Sequence, residues 1–142
     1  MKLRSKSMLF VAASVAFLSA TTTTSASAAT GVVLAAETTG AFGDAYVTFA
    51  SRTYASNIEF RSVDTLADGH HARLRLITKR SNGDVANWPW RINYGGKGAQ
   101  PEWTTSLTDN QGIAQVRLQV CRGEGDTLLN CAYSPWRSNG LA

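Results

Sequence analysis

The chain has 142 residues, 44% of them apolar and 17% charged, with 14 Lys+Arg against 10 Asp+Glu. This length suits one domain and is too short for two once a leader is set aside. The basic excess lies at the very start: without Lys2, Arg4 and Lys6 the balance is 11 to 10, which excludes the strongly basic composition of a nucleic-acid-binding domain.

Those three cations precede an apolar run from Met8 to Leu18 and an Ala26-Ser27-Ala28 cleavage pattern, the three parts of a secretory signal peptide. Residues 1–28 are therefore expected to be removed and the mature protein to be extracellular. The apolar run is much shorter than the roughly 20 residues that span a bilayer, so no membrane attachment is expected after cleavage.

Residues 29–43 are small and weakly polar, without a convincing period. Two readings stand side by side: a disordered tail, or a flexible arm whose Val32, Val33 and Leu34 dock on another protein. On the second reading, deleting Thr30 to Ala41 would leave a folded domain that has lost one partner.

From residue 44 to 142 the signals are those of short strands. Tyr46 to Tyr54 mixes aromatic and β-branched residues, and Ile58, Phe60 and Val63 mark a second strand. In HARLRLITKR, Ala72, Leu74 and Leu76 alternate with Arg73, Arg75 and Ile77, the period of a half-buried strand whose arginines face solvent. Ser81-Asn82-Gly83-Asp84 is a hairpin turn, since Asn-Gly accepts the positive φ that tight hairpins need. Val85 to Tyr94 is the returning strand, and Pro89 confines it to an edge or a bulge. Gly95 to Gly98 is a loop, Trp103 to Leu107 a short strand, and Asp109 to Gly112 a turn. Val116, Leu118 and Val120 then alternate with Arg117 and Gln119, and Leu128 to Tyr133 is the last strand. Frequent turns and no long helical pattern predict an all-β fold, a small antiparallel β-sandwich with an extended N-terminal arm.

Cys121 and Cys131 are the only cysteines. In an exported chain an even count makes a disulfide the default, here a staple across a hairpin whose exposed tip carries Arg122, Glu124 and Asp126. A zinc site would need about four ligands, and the only histidines, His70 and His71, are adjacent to each other and far from both cysteines in sequence. No nucleophile motif accompanies them. No cofactor, metal or catalytic residue is expected, and the chain is not expected to be an enzyme. Four tryptophans are many for this length. They either fill a small core or, as in Trp88-Pro89-Trp90-Arg91, hold rings at a surface that binds sugars or proteins; Trp88, Trp90 and Arg91 are the candidate contact residues.

The segments DTLADGHH (Asp64 to His71), WPWRINYGGKG (Trp88 to Gly98), Glu102-Trp103 and the cysteine hairpin ending in Tyr133-Ser134-Pro135-Trp136 together resemble a group of small secreted actinobacterial proteins. That group includes the adaptor subunit of umbrella toxin particles, and the likeness runs from about Val63 to Trp136. It implies a non-enzymatic β-sandwich whose N-terminal extension inserts into a partner, and a role linking a large repeat-containing toxin subunit to a lectin subunit. The alternative is a secreted carbohydrate- or cell-surface-binding module acting alone.

Overall fold

A computed structural model describes residues 30–142; the expected signal peptide, residues 1–28, lies outside them. The regular structure described is entirely strand: β1 Thr30–Thr38, β2 Ala41–Phe49, β3 Tyr54–Asp64, β4 His71–Lys79, β5 Val85–Asn87, β6 Arg91–Asn93, β7 Glu102–Thr108, β8 Gln115–Glu124, β9 Thr127–Tyr133 and β10 Arg137–Ser138. All pairings are antiparallel, in two sheets. Sheet A runs β1-β2-β3-β7. Sheet B is centred on β4 and β8, with β5 and β6 along the free side of β4, and β9 and β10 along that of β8.

The sandwich follows from the alternation. Inward residues of both sheets form one core, among them Leu34, Val47, Phe49, Ile58, Leu74, Leu76, Val116, Leu118 and Val120. Each large side chain so buried contributes about 1.5–3 kcal/mol relative to exposure. Gly43 points into this core from β2, and a Cβ there would stand 2.8 Å from both Leu74 Cδ2 and Val120 Cγ2. The missing side chain lets the two sheets approach at their centre.

Most expected strands are present, and the turn at Asn82-Gly83 is formed. Gly83 has φ 92°, the Arg80 N–H donates to the Asp84 carbonyl at 2.9 Å, and the Asn82 Oδ1 accepts from the Asp84 N–H.

Over residues 30–43, the described part of the expected flexible arm, strands form instead. Residues 30–38 are strand β1, paired residue for residue with β2 without a shift, and β2 begins at Ala41. Leu34 is 1% exposed and Ala36 lies in the core. The period is there, Val32, Leu34 and Ala36 inward against Gly31, Val33 and Ala35 outward, but small residues on both faces blur the apolar–polar contrast that reveals alternation. Tertiary pairing with β2 decides the matter, because β2 would otherwise expose a long unpaired edge.

The cysteines form the expected disulfide. Cys121 and Cys131 are direct register partners on β8 and β9. The hairpin is tighter than expected, with its turn at Gly125-Asp126. Arg122 is not at the tip: its guanidinium is half-buried and donates to Asp68 Oδ2 at 2.7 Å and Asn130 Oδ1 at 3.0 Å.

Candidate functional site

The outer face of sheet B is assembled by register. On β4 the outward positions are His71, Arg73, Arg75, Ile77 and Lys79; on β8 they are Gln115, Arg117, Gln119 and Cys121, and Cys131 and Tyr133 continue the face on β9. No Asp or Glu occupies any of these positions.

The arginines of β4 do not stand free in solvent as their period predicts. Arg73 is 3% exposed and Arg75 half-buried, because Trp90 lies over both, its ring centroid 5.6 Å from Arg73 Cζ and 4.4 Å from Arg75 Cζ. A bulge puts it there. Asn87 pairs Ile77 and Arg91 pairs Leu74, and the Trp88 N–H donates to the Leu76 carbonyl, so Pro89 and Trp90 together oppose Arg75. The extra residue reverses the alternation. Trp88 is thereby turned inward, its Nε1–H donating to Thr78 Oγ1 at 3.0 Å, while Trp90 is turned outward.

A second aromatic wall comes from the chain after β9. The Ser134 N–H donates to the Leu118 carbonyl, and the Leu118 N–H donates to Ser134 Oγ, both at 2.9 Å. This clamp sets Trp136 against β8, where Arg117 Cζ lies 4.5 Å from its centroid and Lys79 Nζ 4.3 Å. Arg117 also meets Tyr133, at 4.4 Å. Between the two walls Arg75 Nε donates to Gln119 Oε1 at 2.7 Å, and Gln119 Nε2 donates to Tyr133 Oη at 3.0 Å. The result is a strip of Trp90, Arg75, Gln119, Tyr133, Arg117, Trp136 and Lys79 in which each cation rests on a ring or in a hydrogen bond. Such cation–ring contacts are worth about 0.5–2 kcal/mol each depending on desolvation. Burial lowers the Arg75 pKa.

Arg73 ties the strip to the cysteine hairpin. Its guanidinium donates to His71 Nε2, 3.1 Å from Nε, and to the Gly125 carbonyl. His71 therefore accepts at Nε2 and is neutral; burial lowers its pKa, and the Arg73 and His70 charges add to the effect. Its ring lies 5.4 Å from that of Tyr94. His70 is half-buried as well, its Nδ1 3.5 Å from Glu124 Oε2. Neither histidine faces a nucleophile, and among the described residues no group of three His, Cys, Asp or Glu side chains is placed to hold a metal.

The outer face of sheet A has the opposite character. Its outward positions carry Glu37, Asp44, Glu59 and Glu102 against one cation, Arg61. Arg61 is held by Asp44, whose hydrogen bond and charge raise its pKa. Tyr46 and Val33, the latter 64% exposed, add apolar surface to a shallow depression of about 550 Å³ shared with Glu59, Arg61 and Glu102.

The residues singled out in the sequence thus scatter. Val33 is on the sheet A face, Val32 packs partly against the core and Leu34 is inside it. Trp90 joins the cationic strip. Trp88 and Arg91 line a different feature, an apolar gap of about 210 Å³ between the β7 and β5/β6 edges, with Ile58, Phe60, Leu76 and Leu107. Trp103 also packs against the core. The strip has only a partial signature in the sequence: β4 carries Arg73, Arg75 and Lys79 at even spacing and β8 carries Arg117, with no acid opposite them.

Comparison of this chain with known protein families, curated proteins and solved structures finds no match.

Proposed function

We propose that this chain is a secreted, non-enzymatic adaptor that holds two protein partners at once, one on each outer face of the sandwich. The resemblance of its central and C-terminal segments supplies the form of the assembly: an extracellular antibacterial toxin particle in which the adaptor links a repeat-containing toxin subunit to a lectin subunit. The observation that carries the reading is the charge opposition of the two faces, with Glu37, Asp44, Glu59 and Glu102 on one and Arg73, Arg75, Lys79 and Arg117 on the other. Opposed potentials on one rigid body select unlike partners and steer each to its own side.

The test is affinity purification of the tagged protein from the producing culture, with each face altered in turn. Arg75→Glu with Arg117→Glu should remove one co-purifying protein and retain the other; Glu59→Lys with Glu102→Lys should do the reverse. Loss of every partner from either pair, or a protein that purifies alone, overturns the bridging role.

A second reading, a carbohydrate- or cell-surface-binding module, is favoured by two exposed rings, Tyr133 within the strip at 49% and Tyr94 beside His71 at 78%. Glycan binding by the purified monomer that disappears in Trp90→Ala would select it.

A further inference from the structure

We infer that the outer face of sheet B receives a carboxylate-rich polypeptide surface of a partner protein, gripped by the guanidinium edges of Arg75 and Arg117 and by the Lys79 ammonium. The inference rests on the adaptor reading for the existence of a protein partner, and it assigns one face its chemistry.

Charge pairing is the first ground. Three of the described arginines find carboxylates, Arg61 with Asp44, Arg80 with Asp109 and Arg122 with Asp68, while the unpaired Arg52 and Arg137 are exposed to water. On the strip no such pair forms, because no acid stands at its register positions. These cations lie on aromatic rings, partly withdrawn from water. A partly desolvated cation without a counter-charge is a strong receptor for one brought from outside.

Geometry is the second. A guanidinium stacked on a ring keeps its in-plane N–H groups free for a carboxylate, which it takes in a two-pronged grip. Arg75 uses Nε on Gln119, leaving its two terminal nitrogens. Arg117 is fixed by Tyr133 and Trp136, and its buried Nε has no protein acceptor. The orienting cost has already been met in folding, which favours binding.

The rings decide between polymer classes. Sugar and base platforms need bare ring faces, whereas Trp90 and Trp136 are half-buried and carry the protein's own cations. Tryptophan, tyrosine and arginine together, with acids excluded, is the composition of protein–protein hot spots.

The experiment titrates the mature protein with poly-L-glutamate, polygalacturonate and polyuridylate at matched charge, with thermal melts confirming that each variant is folded. Poly-L-glutamate should bind most tightly and weaken as salt is raised. Arg117→Ala and Arg75→Ala should each reduce its affinity about 10-fold or more, Arg117→Lys should not restore it, and Arg52→Ala, an exposed cation on the β2–β3 turn, should change it less than about 2-fold. The inference is overturned if polygalacturonate or polyuridylate binds as tightly, if the strip variants bind like Arg52→Ala, or if no polyanion binds the folded protein. It is also overturned if the protein forms a dimer that these substitutions dissolve, since the face would then take a second copy through its acidic sheet A. Failure of the two-partner purification leaves these binding results readable on their own.

Discussion

The Trp90 indole covers the Arg75 guanidinium at 4.4 Å on the outside of sheet B, while Trp88, two residues earlier, reaches Thr78 on the inside. A single bulge at Pro89 separates a ring that stabilises the fold from one that shapes a surface. Trp88→Ala should lower unfolding free energy by about 2–4 kcal/mol, as for other large-to-small changes at packed sites. Trp90→Ala should cost about 1 kcal/mol, the scale of its cation–ring contacts. Urea titrations of the two variants check this, and equal losses would contradict the division of roles.

β1 belongs to the core sheet. Leu34→Ala should destabilise by about 2–4 kcal/mol, whereas Val33→Ala, on the outer face, should fall within about 0.5 kcal/mol of the parent. A chain beginning after Thr38 should fail to give a cooperative melt, because it uncovers core residues and leaves the β2 edge unpaired. A truncated protein that melts as sharply as the full domain would restore the detachable arm.

Gly43 sits where Leu74 and Val120 leave no room. Gly43→Ala should cost about 1–3 kcal/mol by overpacking, measured as a shift of the denaturation midpoint. An unchanged midpoint would mean that the sheets separate freely there.

The Cys121–Cys131 bond closes a short loop. Replacing both residues with alanine should lower stability by about 2–3 kcal/mol, the chain-entropy value for a loop of this size. Arg75 and Arg117 lie on strands held by the β4–β8 ladder, so poly-L-glutamate binding by the folded fraction should persist; calorimetry and binding on the same sample test both points.

His71 gives the fold a pH dependence of definite sign. Burial, with the Arg73 and His70 charges, lowers its pKa, opposed only by Asp64. The unfolded chain therefore binds the proton more readily than the folded one, and stability is fully present above the ordinary histidine pKa near 6.5 and declines as pH falls below it. The melting temperature should drop between pH 7 and pH 5, and His71→Asn should flatten that part of the curve. Asp68 adds a second decline at more acid pH. Burial opposes its ionisation, but the His70 N–H and the Arg122 guanidinium outweigh that and hold its pKa below the usual carboxylate range.

Local chemistry explains which features could be read in advance. The turn at Asn82-Gly83, the alternation in β4 and β8, the edge position of Pro89 and the cysteine staple each depend on residues close in the chain. β1 was obscured because Gly, Ala and Val on both its faces carry almost no polarity contrast. The strip was obscured for a different reason: Arg75 and Gln119 meet across 44 positions of sequence, and nothing local at either position announces the other.

By itself, then, the order of residues determined an all-β, antiparallel, disulfide-stapled fold, since strand period and turn chemistry act over a few residues at a time. Only the tertiary structure decided that β1 completes sheet A, that Trp88 and Trp90 face opposite ways, and that acids collect on one outer face and cations on the other. Those outcomes depend on register between distant strands, and a one-residue bulge such as that at Pro89 is enough to exchange inside for outside.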